Sequence, residues 1–234
     1  MNDHTKTYRA SNGSWTATCH SGFAAMLFDA NLAPQVSQVE WEVMAAMPGW
    51  CRREKAEAMV RLITLGHVRT VVEVGVYGGR SLQAMALGLA AAPVSADLID
   101  PMLVGIDPWN PAYIGEIADQ LLRDVTAHMR ARWPRVMLLR APSESIVQFG
   151  RAVDLVHIDG DHTPPAPLVD VQAWYPRVRH LGYMVMDDAN YGGVVEATTW
   201  LEQQGAELLC DVTYADVDGI ASVEGGWRLY QITR

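Results

Sequence analysis

The stretch VVEVGVYGGRS, residues 71–81, contains the first βα junction of the chain. Its run of apolar and β-branched residues predicts a buried strand, and Gly75, Gly78 and Gly79 predict a tight turn before a helix. Glycines let the backbone pass close to a ligand, and the N-terminus of a helix offers unpaired N–H donors. The stretch therefore predicts a ligand site at the turn or, as the alternative, a tight turn alone.

Further strands follow along the chain. Short apolar runs predict strands at residues 70–76, 102–107, 135–141, 153–159, 182–188, 207–214 and 227–233. Helical periods predict helices at about 80–91, 112–132, 166–179 and 191–204. No helix separates the last two strands, so the loop ADVDGIASVEGG resembles a hairpin loop. We expect an α/β, Rossmann-like fold: a seven-stranded, mainly parallel sheet with helices on both faces and an antiparallel last strand.

The N-terminal part differs in composition from the rest. Residues 1–50 contain scattered aromatic residues, little charge and the apolar helical stretch VSQVEWEVMAAM. We predict that they form an N-terminal helical cap and that residues 51–234 form the main domain. The cap is expected to act as a lid over a cleft, shaped by Trp15, Phe23, Phe28 and Trp41. The next segment, CRREKAEAMVRLITLG, predicts an amphipathic helix beside the first strand.

Composition and charge exclude several classes of protein. The chain has 234 residues, half of them hydrophobic, which suits one globular domain. Its net charge of -9 and the lack of a basic run argue against binding to nucleic acid. Three widely separated cysteines favour a reducing, cytoplasmic environment, and no apolar run is long enough for a membrane span. The apolar N-terminal segment leaves a homo-oligomer open.

An acidic residue, Asp107, ends the second strand in the stretch VGIDPW. Ligands of open α/β sheets sit over the carboxyl ends of the strands, where an acid can accept hydrogen bonds from both hydroxyls of a ribose. The alternative is that Asp107 caps the turn ahead of Pro108. Together with the glycine turn, Asp107 favours a nucleoside ligand.

Four stretches in this order, VVEVGVYGGRS, VGIDPW, VDLVHIDGDH and YMVMDDAN, resemble the class I S-adenosylmethionine-dependent methyltransferases. The resemblance implies S-adenosylmethionine as the cofactor, with Asp107 at its ribose hydroxyls. It also implies cofactor contacts for Glu73, Gly75, Gly79, Ser81 and Asp159. In the stretch LLRAPSES, Ser143 stands where relatives carry a polar residue near the adenine. Trp109 either covers the adenine ring or, as the alternative, packs in the core.

Carboxylates follow two more of the predicted strands. These strands should lie side by side, so Asp159, Asp187 and Asp188 are expected to converge at one edge of the sheet. Crowded carboxylates repel one another unless a cation neutralises them, and an all-oxygen ligand set favours Mg²⁺, with Mn²⁺ or Ca²⁺ as substitutes. The alternative is a cluster of helix caps.

The acidic pattern narrows the resemblance to the metal-dependent O-methyltransferases, both the catechol type and the macrocin and novobiocin type that acts on sugars. It implies Asp159, Asp187 and Asp188 as the metal ligands and Asp161 as the general base, with His162 as the other candidate. The alternative for Asp161 is that it caps the following loop. Asp188 favours the sugar branch, because catechol-type enzymes carry asparagine at this place. The expected reaction is methyl transfer to a hydroxyl group of a small molecule, a sugar or a natural product.

Two other functions fit the same residues. The first is a non-catalytic module that binds S-adenosylmethionine and acts as a partner or regulator. The second is a metal-dependent oxygenase or hydrolase, since a fold does not fix its function. The stretch HIDGDH contains the H-x-D spacing of iron sites, but the later pair of aspartates favours magnesium. His157 is expected to be a hydrogen-bonded residue of the core.

Overall fold

A single sheet runs through the described part of the chain. The computed structural model describes residues 5–92, 100–133, 135–146, 149–215 and 225–234. Within them the strands are β1 (Lys6–Arg9), β2 (Trp15–Cys19), β3 (Thr70–Val74), β4 (Met102–Asp107), β5 (Val136–Arg140), β6 (Val153–Ile158), β7 (Val178–Met186), β8 (Glu207–Tyr214) and β9 (Trp227–Gln231). They lie in the order β1-β2-β8-β9-β7-β6-β3-β4-β5.

The strands β5, β4, β3, β6 and β7 form the parallel half of the sheet. Every residue of β3 is buried, because both faces of the sheet are covered, and this accounts for its nearly continuous apolar run. The strand order reverses at β3, which pairs with β4 on one side and with β6 on the other. Such a reversal leaves a crevice at the carboxyl ends of the strands.

The α-helices of the described residues pack on both faces of this sheet. They are α1 (Gly22–Met26), α2 (Gln38–Ala45), α3 (Arg53–Leu65), α4 (Arg80–Ala91), α5 (Pro111–Ile114), α6 (Ala118–Arg132), α7 (Ala166–Trp174) and α8 (Gly192–Gln203). Val71 of β3 packs in one buried cluster with residues of α3 and α4, whereas Val72 packs in another with residues of α7 and α8. Because successive residues of a strand point to opposite faces, helices on both faces are confirmed.

Two predicted helices differ from the observed ones in length. The helix predicted at 112–132 is divided into α5 and α6 by a 3-10 turn at Gly115–Ile117, where Gly115 has a φ of +70°. The helix predicted at 166–179 ends at Trp174, because a 3-10 turn follows it and β7 already begins at Val178. None of the helices in the described ranges combines the length and the apolar character that crossing a bilayer needs.

For the antiparallel half of the sheet, one prediction is confirmed and another has to be corrected. The last strand, β9, runs antiparallel to its neighbours β7 and β8, as expected. Most of the predicted hairpin loop ADVDGIASVEGG, residues 216–224, lies outside the described residues. The sheet does not end at β8, because β2 pairs with β8 and β1 pairs with β2. The prediction of seven strands was therefore too low.

The two additional strands belong to the segment that was expected to form a helical cap. Residues 1–50 do contain helices, α1 and α2, but β1 and β2 extend the sheet. An unpaired β8 would leave a row of backbone N–H and C=O groups open at an edge, and β2 covers that edge. The N-terminal segment is thus partly a continuation of the main sheet.

We expect Gly75→Ala to destabilise the protein far more than Gly205→Ala. Both glycines have left-handed backbone angles, with φ of +88° and +85°, so both substitutions carry a conformational cost of about 1–2 kcal/mol. A Cβ at Gly75 would also overlap the carbonyl oxygen of Asp159, whereas nothing lies within 4 Å of a Cβ at Gly205. The free energy of unfolding from denaturant titration should fall by at least about 3 kcal/mol for Gly75→Ala. Equal losses in the two variants would contradict the close approach of β3 and β6.

Candidate active site

A cleft of about 320 Å³ opens at the carboxyl ends of the parallel strands. Its walls come from the glycine turn after β3, from the residues that follow β6 and β7, and from the segment that leads into α3. The lining includes Trp50, Cys51, Lys55, Gly75, Val76, Tyr77, Ser81, Asp159, His162, Asp187, Asp188 and Tyr191. The volume is typical of a small-molecule site, and the position is the crevice expected of an open α/β sheet.

Asp107, at the end of β4, holds the glycine turn in place. Its Oδ2 atom accepts hydrogen bonds from the backbone N–H groups of Val76 and Tyr77, at 3.0 and 2.8 Å. Its Oδ1 atom accepts a third from the N–H of Trp109, at 2.6 Å. The contact of Asp107 with ribose hydroxyls stays a prediction, and the structure adds a role in shaping the turn that the cofactor would approach.

The residues of the glycine turn have different positions. Gly75 and Ser81 line the cleft. Gly79 precedes α4 with a φ of +85°, and a Cβ there would overlap the side chain of Val125 on α6. The structure therefore gives Gly79 a packing role, and its contact with a cofactor stays a prediction.

Trp109 does not have the role that the sequence suggested. Its side chain is 0% exposed and packs in the core, where its Nε1 atom donates a hydrogen bond to the carbonyl oxygen of Tyr77 at 3.0 Å. A ring without an exposed face cannot cover an adenine, so this prediction was wrong. Ser143 is also buried, and its hydroxyl donates a hydrogen bond to Asp170 on α7. Its predicted contact with adenine remains a prediction.

Asp159 and Asp187 meet around an ammonium group, that of Lys55. Lys55 Nζ donates a hydrogen bond to Asp187 Oδ2 and lies 3.9 Å from Asp159 Oδ2. The lysine side chain is 3% exposed, although it projects from α3. Lys55 was not among the predicted site residues, yet a signal was present: it has the helical spacing of Met59 and Leu62, which belong to the buried face of α3.

Burial and mutual repulsion change the pKa values of these groups in opposite directions. Burial and the charge of Asp187 raise the pKa of the Asp159 carboxyl well above its usual range. Burial acts in the same direction on Asp187, but the ammonium group of Lys55, together with His157 and Asp159, outweighs it and lowers the pKa of that carboxyl. For Lys55, burial favours the neutral form, but the charges of Asp187 and Asp159 raise its pKa above the ordinary value. Lys55 and Asp187 therefore form an ion pair, and Asp159 is the carboxyl that holds a proton most readily.

Glu73 and His157 form a buried pair beneath this cluster. His157 Nδ1 lies 3.0 Å from Glu73 Oε1, and both side chains are 0% exposed. His157 Nε2 and Glu73 Oε2 have no hydrogen-bond partner among the described residues. His157 Nε2 points toward Asp159 Oδ2 and Asp187 Oδ2, at 3.9 and 3.8 Å. His157 is thus a core residue with one unsatisfied nitrogen, and Glu73, His157 and Asp159 each offer a ligand atom within 4.8 Å of the others.

Asp188 faces His162, away from the contact between Asp187 and Lys55. Its Oδ2 atom lies 3.1 Å from His162 Nε2, and its Oδ1 atom accepts a hydrogen bond from the N–H of Gly225 at 2.9 Å. Burial and the neighbouring charge of Asp187 raise the pKa of the Asp188 carboxyl. The imidazole of His162 lies against the ring of Tyr191, with ring centroids 5.1 Å apart. Both rings line the cleft.

Asp161, the first candidate for the general base, does not line the cleft described here. It is exposed, and its Oδ1 atom accepts a hydrogen bond from the N–H of Thr163 at 2.8 Å. This is the loop-capping role that aspartate often has in turns. Its neighbour His162 faces the cleft, so the geometry favours His162 as the group that could accept a proton there.

The aromatic residue that the N-terminal segment supplies to the cleft is Trp50. Its ring is 63% exposed and lies 5.1 Å from the ring of Tyr77 in the glycine turn. Arg80 fixes this contact, because its guanidinium donates hydrogen bonds to the carbonyl oxygen of Met47 at 3.0 and 2.7 Å. The residues predicted to shape a lid pack against the core: Trp15, Phe23, Phe28 and Trp41.

Comparisons with known proteins agree with this architecture. A family model described as a methyltransferase domain matches residues 72–189, half of the chain. A search of curated proteins finds no match. Among solved structures, the chain is similar to the methyltransferase PaMTH1 of Podospora anserina bound to SAH, at 13% identity over 90% of this chain and 94% of that one, with a TM-score of 0.60.

Two further solved structures are described as O-methyltransferases. The enzyme from Bacillus cereus, in complex with SAH, has 14% identity over 91% of this chain and 98% of its own, with a TM-score of 0.59. TomG from Streptomyces achromogenes, in complex with SAM, has 16% identity over 92% and 91%, with a TM-score of 0.54. At such low identity these likenesses show the fold.

We expect the stability of the protein to fall as the pH rises from about 4 to about 6, in part because of Asp170. Burial, which outweighs the hydrogen bond from Ser143, raises the pKa of Asp170 to about 6. A carboxyl with a raised pKa binds its proton more tightly in the folded protein than in the unfolded chain. Asp170→Asn removes this cost, so at pH 7 it should be more stable than the wild type by up to about 3 kcal/mol, and at pH 4 about equal.

The measurement is urea unfolding of both proteins between pH 4 and pH 8. Asp124→Asn, on the exposed side of α6, is the matched control and should show no such dependence on pH. A constant difference between Asp170→Asn and the wild type over this range would contradict the assignment.

Proposed function

The chain belongs to the methyltransferase-domain family, and we propose that it is an S-adenosylmethionine-dependent O-methyltransferase that acts on a hydroxyl group of a small molecule. One observation carries the proposal. The glycine turn, the acidic cluster and the imidazole of His162, held by Asp188, all face the same cleft. Methyl transfer to oxygen needs a donor site, a place for the acceptor and a group that takes the proton, and this cleft contains residues suited to each.

The glycine turn fits the donor, S-adenosylmethionine. Gly75 lines the cleft at the carboxyl end of β3, and α4 begins just after the turn. Glu73 stays a candidate on the resemblance: its Oε2 atom has no hydrogen-bond partner among the described residues, but its side chain is 0% exposed and is not among the residues that line the cleft. When bound, the donor supplies a methyl group on a positively charged sulfur. Glu73, Gly75, Ser81, Asp107 and Asp159 are the residues that we propose for its site.

His162 is the residue that we propose as the general base. Asp188 Oδ2 lies beside Nε2, so the nitrogen that faces it carries a proton and Nδ1 is left to accept another. The acceptor hydroxyl would give its proton to Nδ1 while its oxygen forms the bond to the methyl carbon and the carbon–sulfur bond breaks. Asp188 then stabilises the imidazolium that results. Asp161, which caps its own loop, is the second candidate for this role.

The acidic cluster fits a divalent cation in its charge. Asp159 and Asp187 can carry two negative charges and Lys55 carries one positive charge, so one negative charge remains, and Asp188, which faces His162, can carry a second one. A single Mg²⁺, or Mn²⁺ or Ca²⁺ in its place, would balance them through oxygen ligands. His157 Nε2, which lies 3.9 and 3.8 Å from Asp159 Oδ2 and Asp187 Oδ2, has no hydrogen-bond partner among the described residues, and with Glu73 and Asp159 it offers a further possible ligand atom. When bound, the ion would orient the acceptor hydroxyl and make it more acidic.

The acceptor that we propose is a sugar or a natural-product intermediate. Trp50, Tyr77 and Tyr191 offer ring faces at the cleft, on which the ring of such an acceptor could pack. TomG, one of the similar structures, takes part in tomaymycin synthesis, which agrees with a natural-product acceptor. The proposal of a sugar acceptor depends on Asp188, the residue that favours the sugar-specific branch of the family.

The buried thiols of Cys19, Cys51 and Cys210 are free, which agrees with our proposal of a reducing, cytoplasmic environment.

We expect excess chelator to abolish methyl transfer and to leave the binding of S-adenosylmethionine largely unchanged. The ion acts on the acceptor, whereas the glycine turn holds the donor. Methyl transfer is measured as turnover with radiolabelled S-adenosylmethionine. Binding of S-adenosylmethionine is measured by titration calorimetry. Added Mg²⁺ should restore turnover, and Asp187→Asn should behave as the chelated wild type does. Full turnover in excess chelator would remove the ion from the mechanism without affecting the proposal of methyl transfer.

We expect His162→Gln to lower kcat by about 10²–10⁴-fold and Asp161→Asn to change it by less than about threefold. The reason is that His162 faces the cleft, whereas Asp161 is turned to the N–H of Thr163. His20→Gln, at an exposed histidine, is the matched control. The reverse order of the two effects would assign the base to Asp161.

A further inference from the structure

Lys55 is a charged side chain in the interior of the protein. It is 3% exposed, and it shares the helical spacing of Met59 and Leu62 on the buried face of α3. Lysine is almost never fully buried without a partner, because an ammonium group loses its hydration there. Its place in the fold therefore needs a reason beyond packing.

The ammonium group lies at the point where the acidic side chains converge. Asp187 Oδ2 accepts a hydrogen bond from Lys55 Nζ, and Asp159 Oδ2 is 3.9 Å from it. The same two oxygen atoms lie within 3.9 Å of His157 Nε2, so they face one common point. This is also the point at which the charge of the cluster would place a divalent ion.

We propose that Lys55 is a positioning residue that neutralises Asp159 and Asp187 whenever no divalent ion is bound, and so preserves the shape of the acidic cluster. Without the ammonium group, the two facing carboxylates would repel each other in a buried place, and the ends of β6 and β7 would separate or take up protons. With it, the cluster stays assembled and an ion can enter or leave without loss of structure. This inference rests on the proposed function in one respect only, the location of the divalent ion.

The test is thermal unfolding of Lys55→Met in the presence of EDTA or of Mg²⁺, without donor or acceptor. Methionine keeps most of the apolar stem and removes the charge. We expect Lys55→Met to lose about 10 °C in Tm with EDTA, as for a buried ion pair that loses one partner, and to regain at least half of this loss with saturating Mg²⁺. The wild type should respond to Mg²⁺ by no more than about 3 °C.

The chain offers a matched control, because Lys6 is its other lysine. Lys6 is exposed in β1, and Lys6→Met should behave as the wild type does under both conditions. Two outcomes would overturn the proposal: a Tm for Lys55→Met that is unchanged with EDTA, or a loss of the same size with EDTA and with Mg²⁺. The second outcome is the one expected if Lys55 only fills space.

A double variant keeps the proposal testable if Lys55→Met does not fold in EDTA. Lys55→Met/Asp187→Asn removes both charges of the ion pair, so it should fold in EDTA and unfold at a higher temperature than Lys55→Met. If the double variant also fails to fold, the charge of Lys55 is not what the site requires, and the proposal is wrong. Because unfolding is measured without methyl transfer, this test and that of the proposed function can fail separately.

Discussion

The close approach of two backbone segments, at Gly75 and Asp159, is the constraint on which the rest of the site depends. A side chain at Gly75 would overlap the carbonyl oxygen of Asp159, so the turn after β3 and the end of β6 can meet only because this residue is glycine. The contact brings the glycine turn next to Asp159 and Asp187. Asp107 fixes the same turn from the other side, through its hydrogen bonds to Val76 and Tyr77. The chemistry of the cleft is thus assembled by neighbouring strands of one sheet.

The parallel half of the fold was predictable from sequence, and the N-terminal strands were not. The strands β3, β4, β6 and β7 are largely buried, and burial selects the apolar, β-branched runs from which they were predicted. The edge strand β5 is half-buried or exposed, but its run VMLLR was still apolar enough to be predicted. The strands β1 and β2, by contrast, are short and largely exposed or half-buried, so their sequences KTYR and WTATC carry a weak signal. Their pairing depends on a partner far along the chain, since Cys19 lies opposite Cys210, 191 residues later. No local pattern contains that information.

The candidate site shows the same limit at the level of single side chains. The sequence correctly predicted that Asp159 and Asp187 follow the carboxyl ends of neighbouring strands and lie together. Sequence alone does not give the direction of each side chain. Asp188 has a φ of +52° and turns to His162, so adjacent aspartates serve different contacts. Trp109 has a φ of +37°, and its ring lies in the core instead of over a ligand. Lys55 was missed because a single lysine in an amphipathic helix is usually assigned to its exposed face.

The pairing of β2 with β8 has a consequence for the order in which the strands of the sheet can pair during synthesis. During synthesis β2 emerges well before its partner strand, because Cys19 lies opposite Cys210, 191 residues later in the chain. Until β8 has been synthesised, β2 cannot form its backbone hydrogen bonds with that strand. Contacts this distant in sequence also form slowly because of the entropy of loop closure. We therefore expect β2 to pair with β8 only after the parallel strands β3 to β7, which lie between them in the sequence, have been synthesised.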